Sequence, residues 1–179
     1  RSISSDPNPE GPGMVELNAD EYFKPVKLPS RHQSINPGSY GETTKPLLIA
    51  FENSMKLAVS VFPTRLTDNL QTIVSWGPLR ITLDEKGYVA FYCDDVKFIT
   101  SKEPIILAKW YTISIEISKD QKTVLCIRDN LTGKEEQTHS EKPKRSIDFD
   151  EFENAKIRVA TDQSKTEFFN GKIEAPQIK

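Results

Sequence analysis

Cysteine, histidine and tryptophan each occur only twice in these 179 residues, and each scarcity closes off a chemistry. Cys93 and Cys126 are too few for a disulfide scaffold or a closed four-ligand zinc site. Both lie in strand-like runs, "YVAFYCDD" and "TVLCIRDN", where a reduced thiol packs as a small hydrophobe. His32 and His139 stand far apart and lack the helical spacing of metal ligands, so no histidine-centred catalytic unit and no metal site are expected. An excess of one charge is missing too: Lys and Arg total 24 against 26 Asp and Glu, a formal charge of −2. Without a basic stripe nothing neutralises a phosphate backbone, and nucleic acid is not an expected partner. No apolar run approaches the length that spans a bilayer, so a membrane partner is not expected either. The opening "RSISSDPNPE" has no apolar centre of the signal-peptide type, and the expected location is the cytoplasm. "GPG" at 11–13 lacks the following helix and lysine of a phosphate loop.

What is present from Lys45 onward is a hydrophobic period of two, in short runs separated by turn residues. "KLAVSVF" places Leu57, Val59 and Val61 on one face, and "LRITL" does the same with Leu79, Ile81 and Leu83. In "WYTISIEIS", Tyr111, Ile113, Ile115 and Ile117 line one side while Thr112, Ser114, Glu116 and Ser118 line the other. "KTVLCIRD", "AKIRVAT" and "FFNGKIEAPQI" add further strands, with turn signals "EKG", "SKDQK" and "NLTGK" between runs. Pro63, Pro78, Pro104 and Pro176 fall where strands start or stop. About a dozen short strands and no convincing long helix predict an all-β fold, two antiparallel sheets packed face to face as a jelly-roll sandwich. The mixed-charge run Gly133–Ser146 is expected to be a solvated loop or ragged edge.

The N-terminal segment reads differently. Pro7, Pro9, Gly11, Pro12 and Gly13 are incompatible with helix or central strand, and each proline stiffens the residue before it. Residues 1–34 are therefore read as a Pro/Gly-rich strap and lead-in of a fragment of something larger, and residues 35–179 as the sandwich domain.

Two sets of motifs carry a resemblance. "LQTIVSWG", "GYVAFYC", "LAKWYTISIEISKDQKTVLCI" and the closing run with Phe169, Gly171, Ile173 and Glu174 resemble the concanavalin A-like, laminin G-like sandwich domains. The opening, "DPNPEGPG" followed by "QSINPGSY", resembles the stretch before the laminin G-like domain of the N,N-dimethylformamidase large-subunit family. Asp6, Pro7, Asn8 and Pro9 match it, as do Gly11, Pro12 and Gly13, and further on Gln33, Pro37, Gly38, Ser39 and Tyr40. Ser5 stands where that family usually has glycine. The resemblance implies a non-catalytic accessory domain with no cofactor of its own, docking through the strap onto neighbouring domains or subunits. In that family a separate later domain hydrolyses amides with an iron held by tyrosines and a glutamate; no matching motif occurs here, so no catalytic residue is assigned and the domain alone is not expected to be an enzyme.

The fold class also hosts lectins and glucanases, which leaves two alternatives. Carbohydrate binding would use exposed aromatics, for which Trp76, Tyr88 and Tyr92 are the candidates; Trp110 matches the laminin G-like pre-strand tryptophan, for which packing is implied. Asp94 and Asp95 are nearby oxygen ligands, but neighbouring strand residues point to opposite faces unless a turn or bulge intervenes. Glycoside hydrolysis would rest on "DFDEFE", where Asp148, Asp150 and Glu153 have an acidic-x-acidic-x-x-acidic spacing. A retaining pair needs carboxyl groups about 5 Å apart. The competing reading is a solvated turn anchored by Phe149 and Phe152. "NLT" at Asn130 has the form of a glycosylation sequon.

Overall fold

The computed structural model describes residues 39–46, 54–140, 146–148, 152 and 154–179, together with the backbone of short strands at 14–16 and 24–26. Apart from one short hairpin the strands form two six-stranded antiparallel sheets, the all-β sandwich that the period of two predicts. The first sheet runs β11 (Glu135–Ser140), β10 (Thr123–Asp129), β9 (Tyr111–Ser118), β4 (Ser54–Pro63), β13 (Gly171–Ile173), with β14 (Gln177–Ile178) also pairing β4. The second runs β3 (Gly41–Glu42), β12 (Ile157–Val159), β5 (Gln71–Trp76), β6 (Leu79–Leu83), β7 (Val89–Cys93), β8 (Val96–Thr100). The hairpin of β1 (Met14–Glu16) and β2 (Lys24–Val26) is a separate two-stranded sheet. It lies within the segment expected to be only a strap, and Pro25 is tolerated opposite Val15 because both strands are edges.

The core is the space between the two inward faces. Met55, Leu57, Val59 and Val61 of β4 and Ile113, Ile115 and Ile117 of β9 are buried against Trp76, Leu79, Ile81, Leu83 and Phe91. Each large aliphatic side chain so buried contributes roughly 1.5–3 kcal/mol relative to exposure. Strand β4 alternates as the sequence pattern demands, its odd-numbered residues inward. Strand β5 does not: all six of its residues are buried. A bulge between Thr72 and Val74 lets Ile73 and Val74 both turn inward, and the segment after β12 covers the outward side.

The polar run at 133–146 holds a regular edge strand, β11, paired with β10 from Arg128↔Glu135 to Thr123↔Ser140. Its exposed polar residues, Glu135, Gln137 and His139, keep the free edge from recruiting another strand. Across the sandwich rim, Glu136 accepts the backbone N–H groups of Lys102 and Glu103 at 2.5 and 3.2 Å, tying β11 to the segment after β8.

Candidate functional site

The outward face of the second sheet brings together most of the partly buried charge among the described residues. Register sets it out: Glu42, Arg158, Ser75, Arg80 and Tyr92 stand opposite one another across five strands. Over them lies the 160–169 segment. Ala160 adopts a left-handed φ of 63° and donates to Ile73 O at 2.8 Å, fastening the segment onto the β5 bulge. Phe169 donates back to Ala160 O at 3.0 Å and closes the loop.

Asp162 holds that loop in shape. Its carboxylate accepts the backbone N–H of Thr166 at 2.7 Å, of Glu167 at 2.9 Å and of Ser164 at 3.2 Å, and the Thr166 hydroxyl at 3.0 Å. Burial acts to raise its pKa, but these donors outweigh it and hold the carboxyl below the usual range. The loop then delivers Glu167 to Arg80, whose Nη1 donates to Oε1 at 2.9 Å while Thr72 Oγ1 donates to Oε2. Arg80 also donates to the Asp94 carbonyl at 3.0 Å, and its guanidinium stands 5.3 Å from the Tyr92 ring centre. The Lys97 ammonium is 5.7 Å from the same ring, so Tyr92 is flanked by two cations.

A second cluster lies towards β3. Arg158 Nε donates to Glu42 at 2.9 Å and its guanidinium also donates to Gln163, whose amide donates to Ser75 Oγ at 3.3 Å. Burial raises the Glu42 pKa, but Arg158, then Lys156 and more distantly Lys165, bring it below the ordinary value. At the rim the Lys165 ammonium donates to Tyr40 OH at 2.8 Å and sits 4.7 Å from that ring.

Of the aromatics expected to bind sugar, Trp76 is corrected: it is fully buried, opposite Leu79 and Ile157 in the inward register, with its ring edge-on to Phe152 at 4.8 Å. Tyr88 and Tyr92 are half-buried; Tyr92 lies on the outward side of β7 opposite Arg80, while Tyr88 precedes that strand. Asp94 and Asp95 occupy the turn between β7 and β8, Asp94 with a φ of 50°, and Asp95 reaches Arg80 at 3.7 Å. Among the described residues no group of three or more His, Cys, Asp or Glu side chains is placed to hold a metal ion. Phe152 is buried and Asp148 exposed, while Phe149, Asp150 and Glu153 lie outside the described residues. Of the strap motif only Ser39 and Tyr40 are described, and Tyr40 meets the chain's own Lys165; Asp6 to Gly13, Gln33, Pro37 and Gly38 lie outside. Arg80, Glu167, Asp162, Arg158 and Glu42 are the residues that sequence reasoning missed. Alternation marks Arg80 as outward, but its partner lies 87 residues away, and no local signal joins them.

No family model matches this chain and no curated protein matches it. Solved structures do. Tailspike protein 2 of an Escherichia coli O157:H7 bacteriophage is similar at 14% identity and a TM-score of 0.52, over 70% of this chain and 19% of that one. The enzymatically active domain of the bacteriophage CBA120 tailspike protein 2 is similar at 13% identity and 0.52, over 70% and 22%. Lectin II from Ulex europaeus follows at 9% identity and 0.47, over 75% and 77%. This chain spans about a fifth of the length of the tailspike chains it matches. Identities this low speak for the fold alone: the chain shares an all-β fold of two packed antiparallel sheets with these structures, and no residue's role carries over.

Proposed function

We propose that this chain is a non-catalytic interaction domain, without a cofactor of its own, that orders neighbouring domains or subunits of a longer protein. The observation that supports this most is the state of the outward carboxylates. Glu42 and Asp162 are both held below their ordinary pKa, and Glu167 is spanned by Arg80 and Thr72. A glycosidase acid needs the opposite, a carboxyl group kept protonated near neutral pH. Groups already committed to partners build a rigid surface rather than shuttle protons. The finer part of the reading, a place in a dimethylformamidase-like large subunit, rests on the motif residues at 6–13 and 33–40 alone.

The test is an activity assay on the purified chain against N,N-dimethylformamide with ferrous iron, and against nitrophenyl glycosides. No turnover is the expected result. Glycoside turnover that Asp150→Asn or Glu153→Gln abolishes, or any amide turnover, overturns the reading.

A second reading, carbohydrate binding, is favoured by the half-buried Tyr92 ring on the outward side of β7, with half-buried Tyr88 just before the same strand. Because Arg80 and Lys97 flank the Tyr92 ring, a sugar there would meet charged donors as well as an aromatic surface. A glycan screen with and without calcium separates the two: binding lost in Tyr92→Ala favours this second reading.

A further inference from the structure

The outward face of the first sheet carries a different arrangement, independent of the accessory-domain reading. Register places Ser60 opposite Thr112, and Thr112 opposite Arg128. One step along, Phe62 and Trp110 stand side by side with ring centres 5.5 Å apart and planes tilted by 52°. Asn130 donates its backbone N–H to Trp110 O at 3.0 Å, which sets it on the far side of the indole. Phe62 in β4, Trp110 just before β9 and Asn130 just after β10 thus stand side by side at one end of three neighbouring strands, roughly 10 Å across. Both rings are half-buried rather than enclosed, and Leu131, 83% exposed, extends the apolar rim.

Beside the rings runs a pre-arranged polar row. Ser60 Oγ and Thr112 Oγ1 are 3.3 Å apart, and Thr112 Oγ1 donates to Asn130 Oδ1 at 2.9 Å. Within the row the Asn130 side chain acts as an acceptor, which leaves its amide N–H groups for other acceptors. The charges on this face balance. Lys56 pairs with Glu116 at 3.9 Å, Arg128 stands opposite Glu135, and Lys172, 5.6 Å from the Phe62 ring, is two residues from Glu174, which bonds to Ser60 O. A surface with no net charge offers nothing to a polyanion and repels nothing neutral. Two adjacent tilted ring faces next to a fixed row of hydroxyl and amide groups match a ligand with both an apolar ring face and many hydroxyls.

We propose that this face, built on Trp110 and Phe62 with the Ser60–Thr112–Asn130 row, binds a neutral oligosaccharide lying across β4, β9 and the turn after β10. Trp110 stacks on a sugar ring, and the polar row exchanges hydrogen bonds with its hydroxyls.

The chain itself supplies the readout, because Trp76 is fully buried and Trp110 is the tryptophan a ligand can touch. Cello-, xylo-, malto-, galacto- and chito-oligosaccharides are titrated against intrinsic fluorescence, with oligogalacturonate as the charged comparison. At least one neutral oligosaccharide is expected to shift the emission, with an affinity unchanged by added salt. Trp110→Ala and Thr112→Val should each weaken it by about tenfold or more, whereas Tyr92→Ala on the other sheet should not. Thr112→Val keeps the β-branched shape, so its effect is read on a folded protein, checked by circular dichroism. No shift with any neutral oligosaccharide, binding that survives Thr112→Val, or binding restricted to oligogalacturonate and weakened by salt overturns the proposal. Binding lost in Tyr92→Ala but kept in Trp110→Ala overturns it too.

Discussion

A single carboxylate, Asp162, determines where a whole loop goes. Three backbone N–H groups and a hydroxyl converge on it, and the loop so shaped carries Glu167 to Arg80. Asp162→Ala strands those donors in a largely covered position, and calorimetry at neutral pH should find a loss of about 2 kcal/mol, a melting temperature lower by roughly 4–8 °C. The pH dependence has a definite sign. The folded pKa of Asp162 lies below its ordinary value, so its stabilisation is fully present above about pH 4 and fades as the pH falls through the folded pKa. The gap in melting temperature between the native chain and Asp162→Asn should therefore narrow on acidification from pH 5 towards pH 2; a constant gap would refute the assignment.

At the scale of the element, β10 and β11 show what cross-strand placement does to reactivity. Cys126 faces outward on β10, two positions from Arg128, and burial pushes its thiol up to about 11, with Glu135 of β11 adding to the shift by hydrogen bonding and charge. Native Cys126 should react slowly with iodoacetamide at pH 8. Glu135→Gln should speed the reaction, each pKa unit recovered multiplying the thiolate fraction about tenfold. Mass spectrometry of the labelled peptide checks this, with buried Cys93 as the internal reference; equal rates in both proteins would remove Glu135 from the account. The same strand pair marks a limit of pattern reading. "EEQTHS" has no apolar alternation because β11 lies at the sheet edge with half of its positions exposed, so the burial that writes a period of two into β4 and β9 never constrained it.

At the scale of the molecule, stability rests on the two inward faces. Ile115 is fully buried between partners Leu57 and Leu125. Ile115→Ala should cost about 3 kcal/mol and lower the melting temperature by roughly 6–12 °C, while Thr112→Val on the opposite face of β9 should stay within about 0.5 kcal/mol. A comparable loss from both variants would mean that the outward face is packed as tightly as the core. The sequence by itself determined the class of fold and the inward residues of β4, β6 and β9, because a strand with one covered face must alternate. Only the tertiary structure decided that Trp76 points inward, that Thr72 and Ser75 lie under a loop, and that Arg80 meets Glu167. Those outcomes depend on which distant segments come to cover a given strand, and long-range packing leaves no local periodicity to read.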